Sequence, residues 1–296
     1  MPSIFHTLTE TLTRFRTPSF LHSRTLLPFS QPLTVVLLLL PPAILALLPS
    51  VLQSYRAYLA LGPGGVPHNF FGFLLQYPLS VIARRDLRAV PPPYRRSHGG
   101  GDDDSVTRQY GRWDASFLVL GGGVLLPPRR GDRPSVPGFP IVAPQRQTSM
   151  QASPGMVGRM RRFLCRLAEA NPGVLRTGPS ELEGVGSEAI FLRENGNGEE
   201  GVKVPEFMGI AKAEIVHVHG EGSTHVTVSL VDGEEAVAKG WAERHPLSGV
   251  RNMLPWSYIM VYAPRDDEEY EVWKRFVVAG CRFVSGGKEI AVQQDE

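Results

Sequence analysis

Hydrophobic and polar side chains alternate with a period of two over residues 216–219 and again over residues 225–230. Successive side chains of a strand point to opposite faces, so the alternation predicts two strands, at roughly 207–219 and 224–230, which we expect to pair as a hairpin. Valines mark one face of each strand, and burying both sets of valines together fixes the register parity. The opposite, polar face is then predicted to carry three imidazoles, those of His217, His219 and His225.

Other stretches have the apolar spacing of helices. Apolar residues between positions 156 and 167 recur every three or four residues and predict an amphipathic helix. A shorter helix is predicted over residues 233–239, with Asp232 as its N-cap and Gly240 as its stop. Further strands are predicted at residues 187–193 and 257–262.

The C-terminal region is predicted to hold one more helix, which begins at Asp266 or Asp267 and ends at Gly280. A final strand is expected over residues 282–284. Strands and helices alternate irregularly around a central hairpin. This order predicts an α+β fold, in which an antiparallel or mixed sheet has helices packed on one face.

A long apolar run precedes this domain. No charged residue occurs between Arg24 and Arg56, and within that gap the segment Leu33–Leu52 is almost wholly apolar. Its length is that of a bilayer-spanning helix, about 20 residues. The alternative, a cleaved signal peptide, has a shorter apolar segment and a small-residue cleavage site. We therefore predict a single N-terminal transmembrane helix and a single-pass membrane protein.

Composition divides the chain into four regions. They are a disordered tail (1–31), a transmembrane anchor (32–54), a loop-rich region that packs on the main domain (55–149) and the α+β domain (150–290). The 31 basic and 29 acidic residues nearly cancel, so charge gives no reason to expect a nucleic-acid partner. The two cysteines, Cys165 and Cys281, show neither metal-ligand spacing nor a disulfide framework.

Candidate chemistry concentrates between residues 214 and 246, where four of the eight histidines fall. The turn after Gly240 places an acid, a base and an imidazole in succession before Pro246, and such groups can move a proton or stabilise an anionic oxygen. The predicted catalytic residues are His217, His219, His225, Glu243, Arg244 and His245. The predicted substrate-binding residues are Trp241, Tyr262 and Arg265.

Two other interpretations of the histidines stay open. Any of them can be a hydrogen-bonded structural residue, and Arg265 can simply pair with the acidic run that follows it. Three imidazoles on one face can also bind a transition metal, with Glu214, Glu221 or Glu243 completing the shell. We predict a site without a metal and name His217, His219 and His225 as the candidate ligands.

Several sequence blocks resemble the fungal luciferase family. They are HVH at 217–219, GWAERHPL at 240–247 and YAPRDDEE at 262–269. The resemblance extends upstream to YRAYLALGPGGVPHNFFGF at 55–73, to GDRPSV at 131–136 and to QRQ at 145–147. Together these blocks cover roughly residues 33–290, so the chain is identified as a member of this family.

The resemblance implies a membrane-associated enzyme that oxidises 3-hydroxyhispidin, or a similar enolisable phenolic or pyrone compound, with molecular oxygen. It implies no organic cofactor, and oxygen serves as co-substrate. The expected partners are a small-molecule substrate and a membrane, without nucleic acid. Light emission is not implied. The alternatives are a binding module of the same fold that lacks the chemistry, and a metal-assisted hydrolase.

Overall fold

A computed structural model describes residues 31–96, 115–118, 126–194, 202–251 and 253–293. Its elements are, in chain order, α1 Gln31–Ala60, α2 Phe70–Ile82, a 3-10 turn Pro93–Arg96, α3 Pro154–Glu169, β1 Leu175–Ser180, β2 Gly184–Leu192, a 3-10 segment Glu206–Ala211, β3 Glu214–Val218, β4 Thr224–Thr227, α4 Leu230–Ala238, β5 Ala242–Arg244, β6 Tyr258–Val261 and α5 Asp267–Val284. Residues 1–30 of the predicted disordered tail lie outside the described residues, and residue 31 begins α1.

The chain separates into two compact units, residues 1–52 and residues 53–296. A bilayer-spanning helix needs about 20 consecutive, mostly apolar residues. Among the described residues, no helix combines that length with that apolar character. The described side chains of α1 begin only at residue 45, and the helix then carries Gln53, Ser54 and Arg56 before it ends. The predicted transmembrane helix over residues 32–54, and the single-pass membrane localisation with it, is therefore wrong.

A six-stranded antiparallel sheet of order β1-β2-β3-β4-β6-β5 lies at the centre of the second unit. Helices α3, α4 and α5 pack on it. α5 approaches Val226, α4 approaches Val228, and α3 contacts α5 through Phe163 and Trp273. All three helices therefore cover the valine face, and the predicted α+β fold with an antiparallel sheet is confirmed.

The start of α4 differs from the prediction. Ser229, rather than Asp232, is the N-cap, because its hydroxyl accepts the backbone N–H of Asp232 at 3.1 Å. The Asp232 carboxylate is buried and instead accepts a hydrogen bond from Ser116 Oγ at 2.7 Å, so it ties down a distant segment. Gly240 follows the helix at φ +84°, as expected of a helix stop.

The last helix does not end at Gly280. A Cβ at this position would lie 2.6 Å from Val226 Cγ2 and 2.9 Å from the Thr227 carbonyl oxygen. Glycine is therefore required for the close approach of α5 to β4. α5 continues to Val284, over the residues predicted as a final strand, and the Asp266 N-cap is confirmed.

Three further segments have a secondary structure that differs from the prediction or was not predicted. Residues 206–211, expected to open a strand, form a 3-10 segment instead. β1 has no alternating apolar pattern, since its sequence is LRTGPS. β5, predicted as a constrained turn, is a three-residue edge strand held by β6.

A β-bulge at Ile215 brings Glu214 to the histidine face. Two consecutive residues of β2 lie opposite Val216 and Glu214, which leaves Ile215 without a partner. In a regular strand, Glu214 and His217 would point to opposite faces because they are three positions apart, an odd offset. The extra residue cancels this difference.

The histidine face is covered by α2 and by residues 133–147. The Gln76 amide oxygen of α2 accepts the backbone N–H groups of Val142 and Ala143 at 2.9 and 3.1 Å. Arg146 donates to the carbonyl oxygen of Pro63 at 2.8 Å. The polar face of the sheet is therefore enclosed by protein, which makes it a buried site.

Candidate active site

Three imidazoles, which we call the histidine cluster, meet on this enclosed face. His217 lies opposite His225 in the pairing of β3 with β4. His217 Nε2 is 3.1 Å from His219 Nε2 and also 3.1 Å from His225 Nδ1. All three residues are at most 2% exposed. The predicted convergence of His217, His219 and His225 is confirmed.

The proton on His217 is placed by Glu214. Glu214 Oε1 is 2.6 Å from His217 Nδ1 and accepts from Ser180 Oγ at 2.7 Å. The other carboxylate oxygen accepts the backbone N–H groups of Glu181 and Leu182 at 2.7 and 3.3 Å. A carboxylate with these four neighbours is an acceptor, so the proton of the neutral ring is on Nδ1 and Nε2 carries a lone pair.

His219 is held in the same tautomer by a serine. Its Nδ1 is 2.8 Å from Ser223 Oγ, and the Ser223 hydroxyl donates to the Glu221 carboxylate. Burial disfavours the charged form of Glu221, but His219 and the hydrogen bonds outweigh burial and lower the pKa of this carboxyl. Because the hydroxyl proton goes to Glu221, Ser223 accepts from His219 Nδ1–H, and Nε2 carries the lone pair.

Gln145 sets the opposite tautomer in His225. The Gln145 amide nitrogen donates to Glu243 Oε1 at 3.0 Å and to the Arg244 carbonyl oxygen at 3.2 Å. Its amide oxygen therefore faces His225 Nε2, at 3.1 Å. The ring proton is on Nε2, and the bare Nδ1 is the nitrogen that points at His217. Tyr258 stacks on this ring, with centroids 5.0 Å apart.

A carboxylate faces the inner nitrogens of the histidine cluster. Glu183 Oε1 is 3.7 Å from His219 Nε2 and 4.0 Å from His217 Nε2. Its other oxygen pairs with Arg146 at 2.6 Å. Burial acts against ionisation, but the two histidines and Arg146 outweigh it and lower the pKa of the Glu183 carboxyl. The cluster is thus three imidazoles with one anionic oxygen beside them.

Gly64, in the glycine-rich turn before α2, makes room for this carboxylate. A Cβ at position 64 would lie 1.9 Å from Glu183 Oε2 and 2.7 Å from Arg146 Nη2. Real side chains do not tolerate such distances, so any larger residue would displace the ion pair. The turn thereby positions a group that lies more than a hundred residues further along the chain.

His245 lies at the edge of the histidine cluster, with its ring centroid 5.3 Å from that of His225. The backbone N–H of Leu247 donates to His245 Nδ1 at 3.0 Å, so the ring proton is on Nε2. Burial lowers the pKa of His245 to about 3, against the opposing effect of Glu183. Burial also lowers the pKa of His225, and the neighbouring histidines add to this effect. Both rings are neutral near pH 7.

Glu243 and Arg244 are separated by the structure. The Glu243 carboxylate is buried and accepts from Gln145, from Arg88 Nε at 2.8 Å and from Tyr262 Oη at 3.0 Å. It reaches the histidine cluster only through Gln145. The Arg244 guanidinium donates to the carbonyl oxygen of Ala89 at 2.8 Å, so it holds the chain after α2 and does not face the cluster.

The three predicted substrate-binding residues are also dispersed. Tyr262 donates to Glu243, and burial together with that carboxylate raises the pKa of Tyr262 to about 12. Trp241 Nε1 donates to the Pro127 carbonyl oxygen at 2.6 Å. Arg265 Nε pairs with Glu269 Oε1 at 2.9 Å, which is the intramolecular alternative considered above. The structure brings neither Trp241 nor Arg265 to the histidine cluster.

Comparison with known proteins finds relatives of this chain. Residues 212–280 match the family model described as the luciferase domain. The luciferase of Armillaria ostoyae is 26% identical over 244 residues, which are 80% of this chain and 82% of that protein. The luciferase of Armillaria mellea is 26% identical (82% of this chain, 86% of that protein), and that of Neonothopanus nambi is 26% identical (80% and 82%). The luciferase domain and these similarities over about 80% of the chain support a place in the fungal luciferase family. No solved structure matches it.

The luciferase domain match contains the β3–β4 hairpin and His245 but leaves out two important neighbours. Glu183 and Gln145 precede residue 212 and were not among the predicted site residues. Gln145 could have been found from the sequence, because it begins the QRQ block that resembles the fungal luciferases. No sequence motif marks Glu183, which follows β1 in a stretch without a clear pattern.

A mostly apolar cavity of about 250 Å³ borders the chain next to the site. Its wall includes Pro246, the neighbour of His245 in the chain, and Val142, which precedes Gln145 by three residues. Arg84 and Arg85 also line it, and the Arg84 guanidinium pairs with the Asp86 carboxylate at 3.1 Å. The rest of the wall is Ser80, Ala83, Leu87, Pro137, Gly138, Phe139 and Ile141.

Proposed function

We propose that this member of the fungal luciferase family oxidises a small, enolisable phenolic or hydroxypyrone compound with molecular oxygen, and that it does so at the histidine cluster. The observation that carries the proposal is the convergence of three buried imidazoles, whose inner nitrogens meet on the enclosed face of the sheet. The names of the similar luciferases support an oxidative reaction, and the resemblance of the sequence blocks supports a substrate of the 3-hydroxyhispidin type.

The proposed first step is removal of a proton from the enolic hydroxyl of the substrate. A general base must present a lone pair to that hydroxyl, and a positioned base contributes roughly 10²–10⁴-fold to the rate. His217 and His219 both have their outer nitrogen occupied, so in the neutral rings the remaining lone pair, on Nε2, points to the centre of the histidine cluster. The resulting enolate carbon gives an electron pair to oxygen. A C–O bond forms, and oxygen is reduced to the level of a peroxide, which takes up the proton.

The cavity beside Pro246 is the proposed substrate site. Its apolar wall suits the ring system of a phenolic compound, and Arg85 suits an ionised oxygen of that compound. Exclusion of water by α2 and residues 133–147 would protect a peroxide from hydrolysis. The Nε2–H of His245 is a neutral donor available at the edge of the cluster.

Oxygen uptake with a panel of hydroxypyrones, beginning with 3-hydroxyhispidin, tests this proposal. We expect substrate-dependent consumption of oxygen by the full chain, with photon counting run in parallel to record light. If a compound raises the melting temperature but consumes no oxygen, the chain is a binding module instead. Hydrolysis of a compound without oxygen uptake would favour the hydrolase.

A further inference from the structure

We propose that His217, His219, His225 and Glu183 bind a divalent first-row transition metal ion. Each offers one ligand atom, and these four atoms lie within 4.8 Å of one another. The inference departs from the metal-free site predicted from the sequence. It does not depend on the proposed oxidation, because the ion would bind in the absence of substrate.

The inner nitrogens of the three rings face one another without a donor when the rings are neutral. His217 Nδ1, His219 Nδ1 and His225 Nε2 each have an outer hydrogen-bond partner, which holds the proton of the neutral ring at that nitrogen. Two inner N···N contacts of 3.1 Å, both made by His217 Nε2, then bring lone pair against lone pair. A hydrogen bond needs a donor on one side. A cation between the nitrogens turns this repulsion into coordination.

The spacing of the inner nitrogens also fits a metal ion. Imidazole nitrogens bind zinc and similar ions at about 2.0–2.1 Å, which sets two ligands of one ion roughly 2.8–3.4 Å apart at octahedral to tetrahedral angles. Both N···N contacts of 3.1 Å fall in this range. The Glu183 oxygen, 3.7 Å from His219 Nε2, needs only a small side-chain rotation to join them.

Hydrogen-bond partners on the outer nitrogens of the three rings also favour a metal site. Metal-binding histidines generally donate their other N–H to a carboxylate, carbonyl or similar acceptor, which fixes the ring and makes it a better ligand. All three rings have this support, from Glu214, Ser223 and Gln145. Such a complete set for three adjacent rings is an arrangement that a merely structural histidine does not require.

The donor set identifies the class of ion. Three neutral nitrogens and one carboxylate oxygen suit iron(II), cobalt(II), nickel(II), copper(II) or zinc(II), whereas magnesium and calcium prefer oxygen ligands only. An ion there would lower the pKa of a hydroxyl bound to it, which achieves the ionisation that the proposed function assigns to an imidazole. In the proposed function an inner imidazole nitrogen takes up the proton, whereas in the metal site the same nitrogens bind the ion.

Metal content of the purified full chain is the direct test. We expect about one transition metal ion per chain, lost on dialysis against a chelator and restored by titration with cobalt(II) or zinc(II). Cobalt(II) should develop the visible absorption of a nitrogen-ligated ion, and the melting temperature should rise with ion concentration.

Matched variants decide whether the ion is at the cluster. Glu183→Gln keeps the shape of the side chain but removes the anionic ligand, and His225→Gln removes a nitrogen ligand. Both should weaken cobalt(II) binding at least about tenfold, and Glu214→Gln should weaken it about 10–100-fold through His217. His68→Gln, an exposed histidine, is the control and should bind cobalt(II) as the natural chain does.

Two results would overturn the inference. One is a chelated chain that takes up no cobalt(II) or zinc(II) and shows no rise in melting temperature. The other is unchanged binding in both the Glu183 and the His225 variants, with circular dichroism showing that they are folded. A chain that binds the ion but consumes no oxygen with any hydroxypyrone would contradict the proposed function alone.

Discussion

The β3–β4 hairpin and the segment of β5 with His245 after it both contain histidine and glutamate, yet the two regions have different chemistry. In the hairpin, three imidazoles direct their bare nitrogens to one point. In β5, neighbouring residues diverge, so that Glu243 is occupied by Arg88 and Tyr262 while Arg244 binds backbone carbonyl groups. The residue types are alike, and the partners of each side chain make the difference.

The largest expected effect is the loss of turnover when the hairpin, rather than the β5 region, is mutated. His219→Ala removes an inner nitrogen and should lower kcat for oxygen uptake by about 100-fold or more. Arg244→Met removes hydrogen bonds from a charged donor and should lower the free energy of unfolding by about 1–3 kcal/mol, with kcat of the folded enzyme little changed. Urea unfolding gives the stability of the two variants, and oxygen uptake gives their kcat. Equal losses of kcat in both variants would show that the two regions do not differ in their role in turnover.

Acid should act on both regions through their neutral histidines. The pKa of His245 is lowered to about 3 in the folded chain, and that of His225 is also lowered, from an unfolded value near 6.5. The unfolded chain therefore binds more protons below about pH 6.5, so the stability present above that pH is lost on acidification. For His245 this amounts to roughly 3 kcal/mol between pH 7 and pH 4.

Unfolding by urea at a series of pH values checks this expectation. The variant His245→Gln lacks one of the two titrating rings, so its stability should depend less steeply on pH over the same interval. If the free energy of unfolding of this variant depended on pH as that of the natural chain does, the pKa of His245 would be unshifted by folding.

The smallest expected effect concerns the fit of Glu183 beside the histidine cluster. Gly64→Ala introduces a Cβ that collides with the Glu183–Arg146 ion pair and should lower kcat by about tenfold through misplacement of the carboxylate. Gly173→Ala is the matched control, because a Cβ there meets no atom within 4 Å. Oxygen uptake by the two variants should differ, and the same kcat in both would show that the position of Glu183 is not important for turnover.

Local patterns were sufficient for much of the fold. Alternation of valines with polar residues predicted the β3–β4 hairpin, its parity and the shared face of three histidines, because strand geometry enforces a period of two. Apolar spacing predicted α3, and the Asp266 cap and the Gly240 stop follow from short-range backbone chemistry. The family blocks identified a fungal luciferase relative.

Other features depend on contacts between distant residues. A long apolar run predicted a membrane helix that the described part of the chain does not support. Gly280 has the sequence signature of a helix stop, yet it is an interior residue that allows α5 to approach β4. A local pattern cannot distinguish these cases, because what the glycine touches belongs to another element.

The sequence by itself determined the hairpin, its polar face and the types of group available for chemistry. Only the tertiary structure decided which of them act together. In the folded chain a bulge turns Glu214 toward His217, and Gln145 and Glu183 reach the histidine cluster from distant segments. Arg244 binds the carbonyl oxygen of Ala89 instead. The reason is that a ring nitrogen is a donor or an acceptor according to its hydrogen-bond partners, and those partners come from parts of the chain that meet only after folding.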